Sequence, residues 1–113
     1  MRSNLERIYA APAEPGDARR MAQQAKRAAE FLKALAHQNR LMILCILSQG
    51  ERSVSQLEAM LSLRQPAVSQ QLARLRADGL VATRRDGKAV YYSLASEPAR
   101  VVVSAVYDMF CGT

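Results

Sequence analysis

Tryptophan is missing from this 113-residue chain and aromatic residues make up only 5% of it, so Leu, Val, Ile, Met and Ala have to fill any core. Cysteine occurs twice, as Cys45 and Cys111, and histidine once, as His37. No CxxC or CxC pair occurs, which removes the common zinc spacings, and no metal or cofactor is expected. No apolar run approaches the roughly 18 residues of a membrane span. The N-terminus carries arginines without the apolar stretch of a secretory signal. These absences point to a cytoplasmic chain with no membrane partner, whose thiols are reduced by default. Acidic residues are the minority charge, 10 against 16 Lys and Arg, a net charge of +6.

Half of the residues are apolar, enough for one core in a chain of single-domain length. Residues 1–16 contain Pro12, Pro15 and Gly16 without a sustained period, and are expected to form a flexible N-terminal arm. Residues 17–113 are expected to form the folded domain. Asp17 is placed to cap a first helix. Along it Met21, Ala25, Ala28, Leu32 and Leu35 make a heptad-like apolar seam, which serves equally as core or as a dimer contact. A second helix runs to about Ser48. It is apolar almost all round from Leu41 to Leu47, which predicts a central buried helix, and Gln49-Gly50 ends it.

Ser53 is placed to cap a third helix with Val54, Leu57 and Leu61 inward, and residues 61–64 make a tight turn. Pro66 suits the first turn of a fourth helix, buried through Val68, Leu72 and Leu75 and ended by Gly79. Strands are expected over 80–85 and 88–94 around an Asp86-Gly87 turn. A last helix opens at Ser96-Glu97-Pro98 and runs to about Cys111, with Ala99, Val102, Val106 and Met109 on one face despite the β-branched run 101–103.

Helix, tight turn, helix and basic hairpin in immediate succession predict a mainly α fold with a small β-hairpin, a winged helix-turn-helix. Arg64, Arg74, Arg76, Arg84, Arg85 and Lys88 against Asp78 and Asp86 leave four of the six net charges within residues 64–88. A basic patch so concentrated suits double-stranded DNA better than a solvated face or an acidic protein. With the fourth helix buried through Val68, Leu72 and Leu75, its 100° step turns Pro66, Ala67, Gln70, Ala73 and Arg74 outward, with Ser69 at the flank. Gln pairs bidentately with adenine and Arg with guanine in the major groove. The DNA-reading set is thus Arg64, Gln65, Pro66, Ala67, Ser69, Gln70 and Arg74, and the wing residues Arg84, Arg85 and Lys88 contact phosphates.

The segments Leu35-Ala36-His37-Gln38-Asn39-Arg40-Leu41-Met42-Ile43-Leu44, Gln65-Pro66-Ala67-Val68-Ser69-Gln70-Gln71-Leu72, Leu75-Arg76-Ala77-Asp78-Gly79-Leu80-Val81 and Tyr91-Tyr92-Ser93-Leu94 resemble the ArsR/SmtB repressors over roughly residues 18–111. The resemblance implies five helices and one hairpin, a homodimer through the first and last helices, and release from operator DNA on a chemical signal. Many relatives have Ser where Arg64 stands, so the usual cap of the fourth helix is missing here.

Metal-sensing members use paired cysteines on the third helix, where this chain has Ser53-Val54-Ser55-Gln56-Leu57-Glu58. Others use Asp, His and Glu on the last helix, where only Asp108 is present. His37, at a helix start, reads as a cap. By residue chemistry alone each cysteine is a small core residue. The placement of Cys45 on the second helix and Cys111 at the end of the last resembles the dithiol BigR/SqrR type, which implies a sensing pair for persulfides and polysulfides as inducer, with derepression of sulfide-metabolism genes. The alternative is a thiol-ligated metal or arsenical sensor, or a general redox-responsive repressor. No enzyme is expected: His37 precedes Cys45 by eight residues, about 12 Å of helical rise, too far for a catalytic pair.

Overall fold

The computed structural model describes residues 15–62 and 65–112. The chain divides into two units between Lys33 and Ala34. The first consists of most of helix α1 (Pro15–Leu35). It begins two residues before Asp17, so Pro15 and Gly16, assigned to the arm, lie in its first turn. Proline suits that place because its missing N–H has no partner there in any case. Asp17 instead pairs with Arg20 one turn on. The remainder of the expected arm lies outside the described residues. Met21 and Leu32, on the apolar seam, are exposed in the single chain.

The second unit is built from helix α2 (Gln38–Ser48), strand β1 (Arg52–Ser53), helices α3 (Val54–Leu61) and α4 (Gln65–Ala77), strands β2 (Val81–Asp86) and β3 (Ala89–Leu94), and helix α5 (Glu97–Phe110). Three helix starts, those of α2, α3 and α5, use a local oxygen or nitrogen acceptor. His37 Nδ1 accepts from Asn39 N–H at 3.2 Å and caps α2, as expected. Ser53 and Gln56 exchange bonds of 3.1 and 2.8 Å in a capping box at α3. Ser96 caps α5, with Pro98 in its first turn. Helix α4 ends as its Gly79 demands: this residue takes φ 75°, and Leu80 N–H reaches back to Leu75 C=O at 2.9 Å.

Helices α2, α3, α4 and α5 pack on one another and on the sheet. Ile43, Leu44, Leu57, Val68, Leu72, Leu75, Ala99 and Val103 are fully buried. Among the described residues no polar or charged residue is buried. Each buried Leu or Ile side chain contributes roughly 1.5–3 kcal/mol by leaving water. Leu72→Ala is expected to cost about 2–5 kcal/mol, because the rigid helices around it cannot collapse onto the void. Denaturant titration reads this directly, and a cost under about 1 kcal/mol would remove Leu72 from the core.

Three expectations need correction. The sheet has three strands, not two, in the order β1-β3-β2. Arg52 and Ser53 pair antiparallel with Tyr92 and Tyr91, a pairing too short to leave an alternating pattern in the sequence. The hairpin turn is Gly87-Lys88, not Asp86-Gly87, because Asp86 stays in the ladder opposite Ala89. Gly87, at φ 63°, takes the first loop position, where positive φ is needed. Finally, α2 is not buried all round. Ile43, Leu44 and Leu47 face the core, while Met42 is 39% exposed and Cys45 and Ile46 are half-buried. On α5, likewise, Val103 is buried and Met109 is exposed.

Candidate DNA interface and thiol site

With Val68, Leu72 and Leu75 at zero exposure, α4 is rotated as its periodicity requires. Ser69, Gln70, Ala73 and Arg74 are exposed and Ala67 is half-buried. Arg74 is held only loosely, its Nε 3.6 Å from an Asp78 carboxylate oxygen, and its side chain is 66% exposed. Such an exposed pair contributes roughly 0–1 kcal/mol and yields readily to a better acceptor. Gln65 and Pro66 form the first turn of α4, and Arg64 lies outside the described residues. The outer face therefore offers one amide and one guanidinium flanked by small side chains, which suits close approach to base edges.

The three wing cations differ from one another. Arg85 is exposed. Lys88, in the hairpin turn, lines a cavity of about 270 Å³ of mixed character, with Ser53, Ser55 and Tyr91 beside Val54, Ala89 and Val90. That cavity lies against the first turn of α3, where free N–H groups and the helix dipole add positive potential. Arg84 is not free. Its Nε and Nη2 donate to the two carboxylate oxygens of Glu51, each at 2.7 Å. Its guanidinium also lies over the Tyr91 ring, 4.7 Å from the centroid. The bond from Arg84 holds the Glu51 carboxyl below the usual carboxylate range and raises Arg84 in turn. Sequence reading treated Arg84 as a free phosphate contact and missed Glu51 entirely. The two are 33 residues apart, and only strand pairing brings them together.

On the opposite side of α2 from the core, Cys45 and Cys111 both line an apolar cavity of about 410 Å³ with Met42, Ile46, Val106 and Phe110. Both thiols are free. Cys45 is half-buried, one turn from the end of α2, and its carbonyl accepts from Ser48 Oγ at 2.6 Å. Cys111 is exposed and is the C-terminal cap residue of α5. Burial first, and the charge of Cys111 second, push the Cys45 thiol above its ordinary range. Cys45 also sits in the last turns of α2, where the dipole disfavours a thiolate. Arg40, the cation nearest to Cys45 in sequence, donates from Nη1 to the Ala34 carbonyl at 3.2 Å.

The raised Cys45 pKa has a defined sign. The protonated thiol is the favoured form in the folded chain, so its contribution to stability is present below the ordinary thiol range and is lost as pH climbs through the raised value. Alkylation of Cys45 should therefore be slow at pH 7, with the midpoint of its pH profile above the roughly 8.5 of an ordinary cysteine. Mass-resolved iodoacetamide kinetics measure this, and a midpoint at or below that pH contradicts it.

Among the described residues no group of three or more His, Cys, Asp or Glu is gathered in a metal-binding cluster, and no helix is long and apolar enough to cross a membrane. The model of the bacterial regulatory proteins of the arsR family matches residues 37–83, from the α2 cap into β2. The chain is 50% identical over 91 residues to a biofilm growth-associated repressor of Agrobacterium fabrum, covering 80% of this chain and 78% of the relative. The crystal structure of the transcriptional repressor BigR from Xylella fastidiosa superimposes with TM-score 0.77 at 42% identity, over 83% of this chain and 93% of that one. A homodimeric winged helix-turn-helix DNA-binding domain from Mycobacterium bovis superimposes with TM-score 0.67 at 34% identity, over 80% and 83%. With this fold, exposed recognition helix and level of identity, the chain is a winged helix-turn-helix transcriptional regulator, not an enzyme, and belongs to the arsR family.

Proposed function

We propose that the chain is a repressor that binds operator DNA as a homodimer and lets go when Cys45 and Cys111 react with a persulfide or polysulfide. The observation that carries this reading is that the two cysteines of the chain, 66 residues apart, open on one apolar cavity. Gln65, Pro66, Ala67, Ser69, Gln70 and Arg74, with Arg64 at the helix entrance, read base edges, and Arg84, Arg85 and Lys88 meet phosphates. Two-fold pairing through α1 and α5 would set two recognition helices about one DNA turn apart. Each of these helices carries exposed apolar residues, Met21 and Leu32 on α1 and Val101, Met109 and Phe110 on α5, which supports this reading.

The chemistry balances as follows. Cys111, the exposed thiol, attacks the outer sulfur of a hydropersulfide R–S–SH as its thiolate. Cys111 then carries the added sulfur, and R–SH leaves after taking a proton. Cys45 attacks Cys111 Sγ, forms the disulfide and expels hydrosulfide. Two thiols are oxidised by two electrons, and the donor is reduced to R–SH and hydrogen sulfide. With two donors, one sulfur stays in the bridge: two thiols and two R–SSH give a trisulfide, two R–SH and one hydrogen sulfide. Each inserted atom adds roughly 2 Å of reach to the Cα span of about 7 Å that a simple disulfide permits. The bridge ties α2 to α5, and a shift between them turns the reading heads off their half-sites, so genes of sulfide metabolism are released from repression.

The deciding experiment is intact mass spectrometry of the reduced chain after polysulfide, peroxide and oxidised glutathione in parallel, each paired with a mobility-shift assay. The reading requires loss of both thiols and loss of DNA binding with polysulfide, the mass showing either a disulfide or whole sulfur atoms added in the bridge. Tight binding of zinc or arsenite to the reduced chain, with release of DNA, would replace it with the thiol-metal reading.

A further inference from the structure

Glu51 has no part in the function described so far. It stands between Gly50 and β1, and its carboxylate takes both Nε and Nη2 of Arg84 in a planar fork at 2.7 Å. The pair reaches across the central strand. Arg84 on β2 is opposite Tyr91 on β3, and Tyr91 is opposite Ser53 on β1, two residues after Glu51 and so on the same face. The Tyr91 ring covers the guanidinium at 4.7 Å. Three of the five Arg84 N–H groups, both on Nη1 and one on Nη2, have no hydrogen-bond partner among the described residues, and the side chains of the pair remain 54% and 33% exposed. Exposed ion pairs add little stability, so stability is a weak reason for a two-bond clamp. Its electrostatic effect is larger. A cation neutralised within the protein does not displace a counterion from DNA, and counterion release supplies most of the affinity for duplex of arbitrary sequence.

We propose that Glu51 is a specificity-determining residue of DNA binding: by holding Arg84 it withholds one positive charge from non-operator duplex. The carboxylate and a DNA phosphate compete for the same guanidinium. On operator, base contacts by α4 fix the backbone beside the wing, and a phosphate can take the Arg84 fork. On other sequences that anchoring is absent and Glu51 keeps it. The effect of Glu51 is to lower the background against which the operator is recognised. The inference rests on the reading of Arg84, Arg85 and Lys88 as phosphate contacts.

The test uses the full chain, a scrambled 25-base-pair duplex, and a duplex selected by the wild-type chain from a random pool. Binding is followed by anisotropy from about 50 to 300 mM salt, with Glu51→Gln, Arg84→Gln and the double variant. Glu51→Gln keeps the side-chain shape, and its melting temperature serves as the check on folding. It is expected to bind scrambled duplex about fivefold tighter near 150 mM salt, with a log–log salt slope steeper by up to about 0.9. The gain on the selected duplex is expected to be smaller, and in the double variant the gain disappears because it passes through Arg84. Unchanged or weaker binding of scrambled duplex by Glu51→Gln overturns the inference. If Arg85→Gln and Lys88→Gln still weaken binding in that case, the wing reading stands and Glu51 alone loses its role. If they too have no effect, both readings fall.

Discussion

Polysulfide is expected to raise the dissociation constant of the reduced chain for its operator at least tenfold, and Cys45→Ser or Cys111→Ser is expected to abolish that response. Coupling between two sites in one protein amounts to roughly 1–3 kcal/mol, or 5–150-fold in affinity, so a change of this size lies within what an α2–α5 link can transmit. The two variants differ in their chemistry. Cys111→Ser removes the exposed thiol that meets the donor, so Cys45, half-buried and held protonated, should acquire sulfur only slowly. Cys45→Ser leaves Cys111 free to form a persulfide that has nothing to close upon. It should gain sulfur mass and stay on DNA. A Cys45→Ser chain that leaves DNA under polysulfide would show that modification of Cys111 alone is enough and that no bridge is required.

Gln70→Ala should cost about 1–3 kcal/mol at one base pair of the operator while leaving affinity for unrelated duplex nearly unchanged. Lys88→Ala should do the reverse, weakening every sequence and flattening the salt slope by about 0.9. The contrast follows from where the side chains sit. Gln70 is on the exposed face of a helix whose other face is fixed by Val68, Leu72 and Leu75. Lys88 is at the tip of a hairpin, beside the first turn of α3, and under the proposed reading it meets phosphates, which carry no sequence information. A binding-site selection before and after each substitution separates the two. An unaltered site preference in Gln70→Ala would remove α4 from the reading surface as assigned.

Much of this was legible in the sequence because the signals are local. Apolar spacing places α4 and its buried face, since a 3.6-residue period has one solution. Caps at His37, Ser53 and Ser96 announce helix starts because a side chain satisfies N–H groups two or three residues away. The hairpin was legible in kind but displaced by one residue, because Asp86 can serve either as a turn residue or as the last rung of a ladder, and the cross-strand register decides between them. Strand β1 was not legible at all: two residues carry no period, and their pairing depends on β3 lying alongside. The cavity faced by Met42 and Ile46 was hidden for a related reason. A helix that is apolar all round is silent about which side its neighbours leave uncovered.

The sequence by itself determined a winged helix-turn-helix with a basic reading head and two thiols, because helix periods, caps and turns act over a few residues. Only the tertiary structure decided which groups meet. It brought Cys45 and Cys111 to one cavity across 66 residues and tied Arg84 to Glu51 across 33. Contacts at such separations arise from packing and strand pairing, and those depend on every element between them.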